Sequence, residues 1–73
     1  GSYNSAQCVK PQWLALDLVD AGPMLVKTRY VQTMVPIEHD GKIITKIILR
    51  SGASVDASHD VADIASRLCL GGK

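Results

Sequence analysis

The stretch Glu38-His39-Asp40-Gly41-Lys42 constrains this chain more than any other. Asp-Gly between two β-rich runs fits the two-residue turn whose central positions need positive φ, and such a turn commits its flanks to antiparallel strands. The flanks agree. Upstream, Val31, Thr33 and Val35 alternate with Gln32 and Met34, and Pro36 breaks the ladder or confines it to a sheet edge. Downstream, residues 43–50 (IITKIILR) are rich in β-branched side chains, Ser51-Gly52 makes a second turn, and residues 53–57 (ASVDA) read as a short strand.

The same period of two opens the domain. In WLALDLVD, from Trp13, the residues Leu14, Leu16 and Leu18 share one face and Ala15 and Asp17 the other. Ala21-Gly22-Pro23 follows as a turn, residues 24–28 (MLVKT) as a second strand, and Arg29-Tyr30 as a kink. From Val61 the period becomes helical, with Val61, Ile64, Ala65, Leu68 and Cys69 on one stripe that must pack on the sheet. Ser58 is the expected N-cap, Asp60 and Asp63 suit the positive end of the helix dipole, Arg67 the negative end, and Gly71 the C-terminal cap. The expected fold is α+β: a small antiparallel meander of four to five strands with one C-terminal helix packed on it.

Seventy-three residues allow one core, and a chain this short buries only roughly 60% of its unfolded surface. Residues 1–12 read as a flexible arm, with Gly1-Ser2 as a remnant of tag removal and the natural chain starting upstream of Tyr3. Residues 13–70 are the domain and 71–73 a tail. A formal charge of +1 advertises neither nucleic acid nor an anionic membrane, and no apolar run approaches the roughly 18 residues of a spanning helix. A cytoplasmic location is expected. Cys8 and Cys69 would join the arm to the helix in an oxidising compartment; otherwise Cys69 is a small core residue and Cys8 a free thiol.

Asp56, His59, Asp60 and Asp63 place four ionisable side chains within eight residues. His59 and Asp63 share a helix face at a spacing that suits metal ligands, but a zinc site draws on three or four such groups and only distant His39 could add an imidazole. A capped helix start accounts for the cluster better, so no catalytic residue, metal or cofactor is expected. The motifs of phosphate loops, CxxC, HExxH and GxSxG are missing.

On the strand before Ser51, Lys42, Ile44, Lys46, Ile48 and Arg50 alternate with Ile43, Thr45, Ile47 and Leu49, which face the other way. This basic and apolar stripe reads first as a solvated strand face. As a functional surface, Ile44 and Ile48 suit a protein partner or self-association, with Lys42, Lys46 and Arg50 around them. Nucleic acid is the alternative partner, although a single-stranded ligand calls for stacking rings and this strand has none.

Taken together, LDLVDAGPMLVKTRYVQTMVPI and ITKIILRSGASVDASHDVADIASRL resemble the small flagellar FlbD/SwrD proteins. Leu16, Gly22, Val26, Val31, Ile48, Leu49, Gly52, Val55, Ser58 and Ile64 occupy matching positions across roughly residues 14–68. Thr28 stands in place of the usual Asn before the third strand, and the hairpin at Glu38–Lys42 is longer than the usual Pro-Asp turn. The resemblance implies a non-enzymatic accessory role with no catalytic residues. The chain's end is also similar to that of LytTR-type DNA-binding domains, for which 73 residues are too few. The expected function is therefore a small interaction or regulatory module, acting as a homodimer or within a larger assembly.

Overall fold

A computed structural model describes residues 8–69. Five strands form one antiparallel sheet: β1 (Trp13–Leu18), β2 (Gly22–Lys27), β3 (Val31–His39), β4 (Lys42–Leu49) and β5 (Ser54–Ala57). Among the described residues a single helix, α1 (Val61–Arg67), follows them, and a 3-10 turn at Thr28–Tyr30 joins β2 to β3. The α+β class expected from the sequence is the fold observed. Among the described residues no helix is long and apolar enough to cross a membrane.

The β3–β4 turn is the one read from the sequence. Asp40 and Gly41 have φ of 51° and 77°, the left-handed backbone that such a hairpin requires. The register runs from His39 opposite Lys42 to Val31 opposite Leu49, with an irregularity between Val31 and Thr33. Pro36 is tolerated because β3 is an edge strand.

The strand order is β2-β1-β5-β4-β3, so the shortest strand sits at the centre and the two hairpins flank it. Residues β3, β4 and β5 make a meander; β1 joins it through Leu18 opposite Ala57. This order places β2 and β3 at opposite edges, although three residues connect them. Four steps of chain from Lys27 to Val31 reach at most about 14 Å, whereas four strand spacings of a flat sheet would need about 19 Å. The sheet therefore curls until the Lys27 end of β2 and the Val31 end of β3 come near each other.

The core lies inside the curl. Leu14, Leu16, Val26, Ile47 and Ala57 are buried there against Ile64 of α1 and Leu68 at its C-cap, which is the packing that the helical stripe demanded. Thr45, also fully buried, is satisfied by donating from its Oγ1 to the carbonyl of His59 at 2.7 Å.

The helix start differs from expectation. Asp60 is the N-cap, its carboxylate accepting from the Asp63 N–H at 2.8 Å. Ser58 is occupied elsewhere, with both its N–H and its Oγ donating to the Asp17 carbonyl. Leu68 is the C-cap, and Gly71, expected in that role, lies outside the described residues. Residues 8–12, expected as a loose arm, are held at three points, one of them the Gln12 carbonyl, which accepts from the Thr28 N–H at 3.0 Å. Cys8 is disulfide-bonded to Cys69, and Thr28 Oγ1 donates to the Pro11 carbonyl at 2.8 Å.

Candidate functional site

The curled sheet has two ends with opposite charge. The acidic residues gather toward one end: Asp17 and Asp20 by the β1–β2 turn, Glu38 and Asp40 by the β3–β4 turn, Asp56 late in β5, and Asp60 and Asp63 at the start of α1. The other end carries Lys27, Arg29 and Arg50. Among the described residues none of these three cations has a carboxylate within ion-pair distance.

At that basic end two aromatic rings stand out. Trp13 is 48% exposed and Tyr30 49%, and each has a cation over it. Lys27 Nζ lies 5.3 Å from the Trp13 ring centroid, its neighbour across the β1–β2 ladder. The Arg29 guanidinium lies 5.6 Å from the Tyr30 ring. Arg50 comes to the same place because its N–H donates to the Tyr30 carbonyl at 2.8 Å. Farther along β2, Leu25 is 61% exposed and Met24 is also open.

A groove of about 350 Å³ runs through this patch, lined by Trp13, residues 24–27 of β2, Tyr30 and Leu49. Four consecutive residues of a strand can line one groove only if it lies along the strand's edge, because their side chains alternate between faces. The groove is thus the mouth of the curl, where the free edge of β2 faces the start of β3. A depression of about 430 Å³ at the acidic end, between Asp20, His39, Asp40 and Ser58, has no exposed aromatic wall among the described residues.

The residues singled out in the sequence fare unevenly. Ile44 is 5% exposed and Ile48 half-buried, so the pair does not form an open apolar face. Ile44 stands opposite Ile37 and Ile48 opposite Thr33 and Ser54. Lys46 is half-buried between Val35 and Asp56 in the ladder. Lys42 falls at the acidic end opposite His39. Only Arg50 belongs to the basic patch.

The Asp56–Asp63 cluster is taken up by structure. His59 Nε2 accepts the Asp17 N–H at 3.1 Å, and its Nδ1 lies 3.5 Å from Asp63 Oδ2. Asp63 also pairs with Arg67 at 3.2 Å, and Arg67 donates to the Ala15 carbonyl at 2.8 Å. Asp60 caps the helix, and Asp56 lies opposite Lys46. Among the described residues no three His, Cys, Asp or Glu side chains converge as a metal site would require.

No protein-family model, curated protein or solved structure matches this chain. Sequence reasoning missed the Trp13–Tyr30 patch because its residues lie 17 positions apart and meet only through the curl. The signal available was indirect: Trp13 starts a strand on the face opposite the leucines, and a tryptophan off the core face needs another reason to be there.

Proposed function

We propose that this protein is a small non-enzymatic interaction module whose contact surface is the groove at the β2 edge, not the β4 stripe. The observation that carries the reading is the patch of Trp13, Met24, Leu25 and Tyr30 with Lys27, Arg29 and Arg50 at its rim. Tryptophan, tyrosine, methionine and arginine are the side chains that protein interfaces concentrate, because each offers a large contact area with a polar or adaptable part. A groove with such a rim, and among the described residues no clustered acid–base pair near it, suits capture of a polypeptide better than turnover of a small substrate.

A nucleic-acid-binding role is the second reading, favoured by the same adjacency of rings and cations. It is weaker, because one face of each ring is already covered by Lys27 or Arg29 and the net charge is only +1. The Cys8–Cys69 bond weighs against the cytoplasmic location and for an oxidising compartment, where such bonds persist.

A photoreactive benzoylphenylalanine in place of Leu25 separates these readings. Illumination in an extract of the source cells should yield a protein adduct, lost when Trp13 and Tyr30 are both changed to serine. Adducts to nucleic acid alone would favour the second reading, and no adduct would remove the groove from either.

A further inference from the structure

The hydrogen-bond pattern of β1 fixes which way the groups of β2 point. Val19 N–H donates to the Asp56 carbonyl and Ser58 N–H to the Asp17 carbonyl, so the odd-numbered residues late in β1 turn toward β5. The even-numbered residues then turn toward β2, as Gln12 does in accepting from the Thr28 N–H. Their partners in register are Val26, Met24 and Gly22. Alternation leaves Leu25 with both N–H and C=O pointing away from the sheet, Lys27 with its N–H, its C=O being the first acceptor of the 3-10 turn, and Pro23 with its C=O alone. These groups open directly into the groove.

Resting on the interaction reading above, we infer that the occupant is an extended segment of a partner protein that adds to the free edge of β2 as a sixth strand, with apolar and acidic residues in alternation. Strand addition supplies backbone bonds for affinity and side-chain rows for selectivity. The two rows differ here. One face of the new strand would lie beside Met24 and Val26, with Tyr30 and Leu49 across the groove, an apolar lining. The other would lie beside Leu25 and Lys27, with Trp13 behind Lys27 in the ladder. An apolar side chain suits the first row and a carboxylate the second, where Lys27 and the nearby Arg29 and Arg50 have no acidic partner among the described residues. The charge asymmetry also sets a preference, since a basic segment would be repelled from this end and an acidic one drawn to it. Pro23 limits the addition at the far end by withholding a donor, so the pairing centres on Leu25 and Lys27.

The test uses the full chain and a synthetic seven-residue peptide, Glu-Val-Glu-Val-Glu-Val-Glu with blocked ends, against a control with lysine in place of every glutamate. Binding is read from the fluorescence of Trp13, the single tryptophan, and from the amide NMR shifts of Leu25 and Lys27. The acidic peptide should bind, with its affinity falling as salt rises, and the lysine peptide should not. Leu25→Pro removes an outward donor without touching the β1 ladder, and should weaken binding about tenfold while circular dichroism stays that of the folded chain. Equal binding of the two peptides, or unchanged binding to a folded Leu25→Pro, overturns the inference. If that variant does not fold, Lys27→Glu takes its place and should weaken the acidic peptide while improving the lysine peptide; no change overturns the inference. Sedimentation of the chain alone, run beside the titration, separates the two failures. If the acidic peptide does not bind and the chain self-associates in a manner lost with Trp13→Ser, the interaction reading stands and the occupant is a second copy. If neither peptide binding nor Trp13-dependent association occurs, the interaction reading falls with the inference.

Discussion

The main-chain N–H of Asp17 donates to Nε2 of His59 at 3.1 Å, where β5 has ended and no strand remains to accept it. Arg67 does the complementary task two residues back, donating to the Ala15 carbonyl. One side chain from the helix approach and one from the helix thus complete the ladder that a four-residue β5 leaves short on β1. Replacing His59 by alanine orphans the Asp17 amide and should cost about 1 kcal/mol, since the imidazole is mostly covered but the amide keeps some access to water. Urea unfolding followed by circular dichroism measures it, and an unchanged midpoint would mean that water takes the place of Nε2 at no cost.

The helix cap separates two neighbouring residues. Asp60→Ala removes the acceptor for the Asp63 N–H and should cost about 1 kcal/mol, with Asp60→Asn recovering most of it. Ser58→Ala loses only the Oγ bond to the Asp17 carbonyl, which the Ser58 N–H also serves, and should cost less than about 1 kcal/mol. An unfolding midpoint lower for Ser58→Ala than for Asp60→Ala would move the cap back to Ser58.

Ile64 is completely buried between α1 and the sheet. Ile64→Val should cost about 1 kcal/mol, whereas Ile64→Asp forces an unpaired carboxylate into that space and should leave the chain unfolded at room temperature. A cooperative thermal transition in Ile64→Asp, close to that of the parent, would contradict the packing described.

Cys8 and Cys69 close a loop with a sequence separation of 61. In the chain-entropy account a loop of that length contributes about 4 kcal/mol by restricting the unfolded chain. Thermal unfolding with and without reductant should therefore differ by many degrees, and Cys8→Ser should behave like the reduced protein under both conditions. Identical transitions would show that the bond adds nothing to stability.

What could be read from the sequence was local. Asp40-Gly41 needs no distant partner to make its turn, Pro36 disqualifies an interior strand wherever it sits, and the spacing from Val61 to Leu68 defines a helix face by itself. The misread residues had choices that only long-range contacts settle. Ser58 is as good a cap as Asp60 until Asp17, 41 residues away, takes its hydroxyl. Ile44 belongs to the outer face by alternation, yet it is buried, and a period of two does not tell which outward positions other parts of the chain cover. The groove was illegible for the same reason: Trp13 and Tyr30 become neighbours because Thr28–Tyr30 draws two sheet edges together.

The central position of β5 has a consequence for how the chain reaches its fold. Each hairpin, β1–β2 and β3–β4, closes over a short stretch and can form early and alone, whereas β1 and β4 have no bond to one another until residues 54–57 come between them. During synthesis that strand is nearly the last element to emerge. Until it does, the nascent chain carries two hairpins with inner edges unpaired, and these are the edges most prone to join a neighbouring molecule. Assembly waits for the loop from Leu18 to Ala57 to close, a separation of sequence that slows folding more than the size of the domain would suggest.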